Sequence, residues 1–231
     1  MYRGVHHHEG VLRVGVIDDH PVVGLGIVAA LERLSNRIEQ VGSATSWRTF
    51  QDEVLSQDLL PDLVLVDGHL NDGTRTPEVI AGLTARNIRA VLFTSDARPV
   101  LVREAIEAGA CGLILKTALP EDILRTIDSL RVSPFAVCSS EAGRAVSSSR
   151  EAPRLGAREL ETMRLLSTGK SRSGVARHIV ADDGRSLTVS TINTYVNRVV
   201  AKYRAAGVPC ASTVEVLGAL RKEGYLVEEP H

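Results

Sequence analysis

Four short aliphatic runs, each ending on a polar side chain, constrain this chain more than any other feature. Leu12-Arg13-Val14-Gly15-Val16-Ile17 stops at Asp18-Asp19, and Leu63-Val64-Leu65-Val66 stops at Asp67. Ala90-Val91-Leu92-Phe93 stops at Thr94-Ser95-Asp96, and Gly112-Leu113-Ile114-Leu115 stops at Lys116. Continuous Val/Ile/Leu runs of this length suit strands covered on both faces of a parallel sheet. A weaker strand, Glu39 to Ala44, lies between the first two. Helical patterns separate the runs. One carries Val22, Leu25, Ile27, Val28 and Leu31; another carries Trp47, Phe50, Val54 and Leu55, with Ser46 placed to cap it. Glu78 to Ala85, Pro99 to Ala108 and Pro120 to Leu130 complete the set, with Pro99 and Pro120 suited to a first helical turn. Five strands alternating with five helices predict an α/β domain over residues 11–131.

From Val132 to Pro153 this pattern fails. Ser133, Pro134, Ser139, Ser140, Gly143, Ser147, Ser148, Ser149 and Pro153 predict a linker, with a helical turn over Glu141 to Val146. Residues 154–231 then read as a small all-helical domain. Charge divides along the same line. Residues 1–150 carry 15 Lys/Arg against 19 Asp/Glu, whereas residues 154–210 carry 10 against 4. An acidic part suited to cations joined to a basic part suited to a polyanion is the expectation. Cys111, Cys138 and Cys210 form neither a metal-type pair nor a disulfide framework, which favours a reducing cytoplasm. No run approaches the ~20 apolar residues of a membrane span. His6 to His8 read as a disordered end rather than a metal-binding tract, since no other ligands accompany them.

Asp18, Asp19, Asp67, Thr94 and Lys116 all fall at C-terminal ends of expected parallel strands, the edge where open α/β sheets bind ligands. Three converging carboxylates repel unless a cation intervenes, and hard oxygen ligands with room for water select Mg²⁺. With Lys116 as a positive charge and Thr94 as a hydroxyl donor, the set suits a phosphoryl group, with Asp67 as nucleophile.

Val16-Ile17-Asp18-Asp19-His20-Pro21, Pro61-Asp62-Leu63-Val64-Leu65-Val66-Asp67-Gly68 and Gly109-Ala110-Cys111-Gly112-Leu113-Ile114-Leu115-Lys116 resemble the receiver domain of response regulators. The resemblance implies a flavodoxin/CheY-like fold with a five-stranded parallel sheet. It also implies that Asp67 takes a phosphoryl group from a sensor histidine kinase or a small phosphodonor. Asp18, Asp19, Asp67 and the backbone carbonyl of His69 would hold Mg²⁺, Thr94 would swing toward the phosphate, and Lys116 would pair with it. This chain departs from the family's habits at Asn71, at Thr117 after Lys116, and at Leu113, where an aromatic switch residue is usual. His69 and Asp96 stand where the family tunes phosphate lifetime.

In the C-terminal part, Leu160, Met163, Leu165 and Leu166 give a first helix its core face, and Ser171 can cap a second carrying Val175, Ala176 and Ile179. Thr188 can cap a third, where Val189, Ile192, Val196, Val199, Val200 and Tyr203 recur at three- and four-residue steps. Its other face presents Ser190, Thr191, Asn193, Thr194, Asn197, Arg198 and Lys202, and the 19 residues from Thr188 to Ala206 include no Asp or Glu. Amides and hydroxyls to read base edges, with cations to meet phosphates, are what a major-groove helix needs. Arg172, Arg177, Arg185 and Arg204 are further candidates for backbone contacts.

Arg158-Glu159-Leu160-Glu161, Leu165-Leu166-Ser167-Thr168-Gly169, Val175-Ala176-Arg177 and Ser190-Thr191-Ile192-Asn193-Thr194-Tyr195-Val196 resemble the LuxR-type helix-turn-helix of NarL/FixJ regulators. By that likeness Asn193, Thr194 and Asn197 would approach bases of double-stranded DNA, Arg198 and Lys202 would hold its backbone, and Thr191 belongs to the same DNA-binding set. Where the family has a tight turn, this chain inserts Val180 to Leu187. Val214, Val216, Leu217 and Leu220 of a fourth helix serve either a homodimer contact or the core. The expected function is a dimeric transcription factor, not an enzyme, switched by phosphorylation of Asp67. The alternatives are a receiver that works without phosphate and a Mg²⁺-dependent phosphohydrolase. The latter usually has a second acid where His69 stands.

Overall fold

The computed structural model describes residues 10–181 and 184–226; the histidine tract at 6–8 lies outside them. Two compact units divide the chain, one made of residues 1–97 and 101–147, the other of residues 98–100 and 148–231.

The first unit is a six-stranded, wholly parallel sheet in the order β2-β1-β3-β4-β5-β6. Its strands are β1 (Leu12–Ile17), β2 (Ile38–Ala44), β3 (Leu63–Asp67), β4 (Arg89–Thr94), β5 (Gly112–Leu115) and β6 (Ala136–Val137). Five of them are those expected, four from the aliphatic runs and β2 from the weaker strand pattern. The helices are α1 (Pro21–Leu34), α2 (Trp47–Glu53), α3 (Thr76–Thr84), α4 (Pro99–Glu107), α5 (Pro120–Ser129) and α6 (Ser140–Glu151). Pro99 and Pro120 begin their helices, and Ser46 caps α2 by accepting from the Thr49 amide at 3.1 Å.

The expected five-stranded sheet needs correction. The extra strand comes from the Ser/Pro-rich stretch that reads as a linker, and α6 extends well past the single turn expected there. The Ala136 amide donates to the Cys111 carbonyl at 3.1 Å and the Cys138 amide to the Leu113 carbonyl at 3.2 Å. A two-residue strand carries no periodicity, so only the unmet peptide groups along the edge of β5 announce it.

Both faces of the sheet are covered. On one, Ile17, Val64, Val66, Leu92 and Leu113 pack with Phe50, Val79, Ile80 and Leu83. On the other, Val14, Val16, Leu63, Leu65, Phe93 and Ile114 pack with Val28, Leu31, Ile123 and Ile127. Gly15 is required here, because a Cβ on it would lie 2.8 Å from Phe50 Cζ.

The second unit holds α7 (Ala157–Ser167), α8 (Arg172–His178), α9 (Val189–Ala205) and α10 (Thr213–Glu223). Met163, Val175, Ile179, Ile192, Val196, Val199, Tyr203, Val216 and Leu220 are buried together. Ser171 and Thr188 cap α8 and α9 as expected, each accepting at 3.2 Å from an amide three residues on. Val216 and Leu220 belong to the core, whereas Val214 is 77% exposed.

Phe50 is fully buried in the first unit. Phe50→Ala is expected to remove about 3–5 kcal/mol of stability, seen as a lower urea midpoint with an unchanged slope.

Candidate functional site

Parallel pairing brings the polar strand ends level. Ile17 lies beside Val66, Asp67 beside Phe93 and Thr94 beside Leu115, so the next residue of β1 and of β5 reaches the same edge. Asp18 and Asp67 are buried, and between them sits the Lys116 ammonium, 2.7 Å from Asp18 Oδ2 and 2.9 Å from Asp67 Oδ2. The ammonium also lies 5.8 Å from the centre of the Phe93 ring, within cation–π range.

Asp19 sits at the outer side. His20 Nδ1 is 2.7 Å from Asp19 Oδ1, and the Asn71 amide donates to Asp19 Oδ2. Carboxylate oxygens of Asp18, Asp19 and Asp67 and an imidazole nitrogen of His20 all lie within 4.8 Å of one another. This set of hard oxygens, largely buried and open to solvent at His20, suits a small divalent cation that retains water. The His69 backbone N–H donates to Asp67, and its imidazole, half exposed, lies 3.5 Å from Asp96.

Burial pushes the Asp67 carboxyl above its ordinary range, opposed by Lys116. Burial also works against the Lys116 ammonium, but its bonds to Asp18 and Asp67 prevail and keep it charged, with its pKa raised. Thr94 is fully buried, and its hydroxyl is held in its own turn, accepting from the Asp96 amide at 2.9 Å and donating to the Asp96 carbonyl at 3.2 Å. A Cβ at residue 68 would lie 2.5 Å from Thr94 Oγ1, so Gly68 is what gives the threonine room.

Sequence reading left three members of this site without a role. His20 and Asn71 orient Asp19. Buried Thr76 donates from Oγ1 to the carbonyls of Asp67 and Gly68, at 3.0 and 2.8 Å, and so pins the acceptor's backbone. The signal for Thr76 is its place beside Pro77 in the first turn of α3. Leu113, in place of an aromatic, is 1% exposed within the core and offers no side chain that can swing outward.

In the second unit, Thr194, Asn197 and Arg198 are exposed along α9, while Thr191, Asn193 and Lys202 are half-buried. Thr191 and Thr188 share a hydroxyl hydrogen bond of 2.9 Å, and Thr194 donates to the Ser190 carbonyl at 3.1 Å. The Asn193 side-chain oxygen is buried without a hydrogen-bond partner. Lys202 differs from expectation: its ammonium lies 2.6 Å from Glu159 Oε2 and 2.9 Å from the Arg154 carbonyl. Glu159 Oε2 also accepts from the Gly156 amide at 2.8 Å, closing the first turn of α7. The spacing of α9 alone cannot reveal a partner 43 residues away.

With this geometry established, comparison with known proteins places the chain. Residues 14–128 match the response regulator receiver domain. The Mycobacterium tuberculosis probable transcriptional regulatory protein NarL is 28% identical over 198 residues, covering 83% of this chain and 87% of the relative. The Escherichia coli nitrate/nitrite response regulator protein NarL is also 28% identical, over 200 residues, covering 82% and 88%. Among solved structures, RcsB of Salmonella enterica serovar Typhimurium, bound to promoter rprA in the presence of a phosphomimetic, aligns with a TM-score of 0.61 at 17% identity. That alignment covers 91% of this chain and 98% of the other, and it shows the shared fold. The chain is a response regulator, with its receiver domain in the first unit. More narrowly, it belongs with the NarL-type regulators.

The pair of buried Glu159 with half-buried Lys202 generates a pH expectation. Burial raises the Glu159 pKa, but Lys202 and the Gly156 amide outweigh it and hold the carboxyl below its ordinary 4.5. A depressed folded value gives stability that is present above that ordinary value and lost as pH falls through the folded one. Glu159→Gln should therefore cost about 1–3 kcal/mol near pH 7. Melting curves of the two proteins should converge as pH drops from 5 toward 3.

Proposed function

We propose that this protein is a two-component transcription factor in which phosphorylation of Asp67 by a sensor histidine kinase controls dimerisation and sequence-specific binding of double-stranded DNA. The observation that carries the reading is the Lys116 ammonium shared by the buried Asp18 and Asp67 at the C-terminal edge of the sheet. The names of the relatives, transcriptional regulatory protein and response regulator, support it.

Asp18, Asp19 and Asp67, with the His69 carbonyl, are the residues that would hold Mg²⁺. Bound there, the ion would neutralise phosphoryl oxygens. An Asp67 carboxylate oxygen forms the bond to phosphorus while the donor's bond breaks, P–N in a phosphohistidine or P–O in acetyl phosphate. The donor leaves with that electron pair. Lys116 pairs with the transferred group, and the Thr94 hydroxyl leaves Asp96 to donate to a phosphoryl oxygen. Because Leu113 lacks a ring to rotate, the Thr94 turn and α4 are the elements that would carry the change.

On α9, Thr191, Asn193, Thr194 and Asn197 would face base edges and Arg198 a phosphate. Lys202 would join them only by leaving Glu159. Val214 is the residue of α10 placed for a dimer contact, since Val216 and Leu220 are occupied in the core. A dimer would set two such helices one DNA turn apart. The three cysteines, all free, suit a cytoplasmic protein. Among the described residues no helix is long and apolar enough to cross a membrane.

Mg²⁺ with acetyl phosphate is expected to add one phosphoryl group to the wild type, and none to Asp67→Asn or after chelation, by intact mass. Phosphorylation should then tighten binding to a site selected from a random duplex library by roughly 5- to 150-fold, the usual range of coupling. Equal affinity with and without the donor would support a receiver that works without phosphate. Modification of Asp67→Asn to the wild-type level would refute the assignment of the acceptor.

A further inference from the structure

His20 follows the two acids at the end of β1, and the fold alone does not call for a histidine there. It is the N-cap of α1, yet its side chain makes no capping hydrogen bond; the residues favoured at an N-cap are Ser, Thr, Asp and Asn. Its side chain is 70% exposed, so packing does not account for it either. The backbone, by contrast, is held from two sides. The His20 amide donates to Asp18 Oδ1 at 3.0 Å. Pro21 after it confines it to the extended region, where it sits at φ -101° and ψ 99°.

From that fixed backbone the imidazole turns toward the acids. Nδ1 lies 2.7 Å from Asp19 Oδ1 and 3.5 Å from Asp18 Oδ1. The Asp19 side chain is only 9% exposed, and its Oδ1 accepts no hydrogen bond in spite of that short approach. A nitrogen and a buried carboxylate oxygen thus lie side by side without bonding each other. Two ligand atoms drawn to one cation have this relation, and oxygens of Asp18 and Asp67 complete a group within 4.8 Å. Lys116 meets Asp18 and Asp67 at Oδ2, so the ammonium and the imidazole approach Asp18 at different oxygens. The ion-pair partners of His20 are the other ligands themselves, and binding a cation keeps them together.

We infer that His20 Nδ1 is a ligand of the cation held by Asp18, Asp19 and Asp67, and that this nitrogen–oxygen set prefers a first-row transition dication, Mn²⁺ included, to Mg²⁺. The inference rests on the cation site of the function proposed above and deepens it by naming the ligand that sets its metal preference. Mg²⁺ keeps to oxygen and to its own waters, whereas imidazole bonds transition dications well. Mn²⁺ is the weakest binder of the first-row series, so a preference for it over Mg²⁺ is the demanding case.

The test uses the full-length protein with Mn²⁺ and Mg²⁺ as probes. Mn²⁺ uptake is read from the loss of the free-ion electron paramagnetic resonance signal, and Mg²⁺ affinity from competition against it. Electron spin-echo modulation then reports nitrogen bonded directly to Mn²⁺. An Asp19→Asn/Asp67→Asn double variant sets the background from ions held elsewhere, the histidine tract at 6–8 included. The wild type is expected to bind Mn²⁺ more tightly than Mg²⁺ and to show nitrogen modulation above that background. His20→Ala should lose the modulation and weaken Mn²⁺ at least about 10-fold, since losing even a ligand's supporting partner costs that much. Its Mg²⁺ affinity, circular dichroism and melting should stay near those of the wild type, because the side chain is exposed. Absence of nitrogen modulation in the wild type would overturn the inference. So would an equal loss of both ions in His20→Ala, the mark of a residue that only positions Asp19. Either result leaves the Mg²⁺ site standing, whereas a wild type that binds neither ion would overturn that site as well.

Discussion

The receiver unit depends on one arrangement of charge, a single ammonium placed between two buried carboxylates. Asp18 and Asp67 come from strands paired side by side, so the sheet forces them together. Without a cation, their mutual repulsion and loss of water would oppose folding of that edge. Lys116 enters from β5, separated from β1 by three strand spacings, about 14 Å in a parallel sheet. A long, flexible stem ending in a compact charge is therefore the side chain that can serve both acids. Neutral buried residues would pack more cheaply, but they would leave no carboxylate able to accept a phosphoryl group.

Around that arrangement, the neighbours restrict what can move. Thr76 holds the peptide of Asp67 and Gly68 through two hydrogen bonds, which fixes the acceptor's backbone. Gly68 leaves room for Thr94, whose hydroxyl is satisfied by the turn at Asp96. Leu113 is locked in the core. The Thr94 hydroxyl thus has an exchange of partners open to it: it would give up two bonds to a neighbouring backbone and gain a charged acceptor. A hydrogen bond to a charged group is worth more than one between neutral groups, about 1.5–3 against 0.5–1.5 kcal/mol. Two neutral bonds given up therefore roughly balance the one charged bond gained, so the turn preceding α4 could change state at little net cost once phosphate is present.

The strand ends were legible because aliphatic runs and the polar residues that stop them lie next to each other in sequence, and parallel pairing does the rest. Caps at Ser46, Ser171 and Thr188 were legible for the same local reason. What escaped was non-local. β6 is set by the open edge of β5 rather than by any pattern of its own. Asn71 reaches Asp19 across 52 residues, and Lys202 reaches Glu159 across 43. The insertion at 180–187 announced itself as a departure from a family habit, but its hairpin is defined by backbone bonds that no side-chain pattern encodes.

The diversion of Lys202 changes how the helical unit must work. Its ammonium neutralises Glu159, a carboxylate that also caps α7, so this charge supports the fold before any partner arrives. The exposed charge of the α9 reading face then rests chiefly on Arg198, beside the exposed neutral side chains of Thr194 and Asn197. If α9 enters DNA as proposed, such a face would favour selectivity over bulk attraction, because few charges on it would hold non-specific DNA.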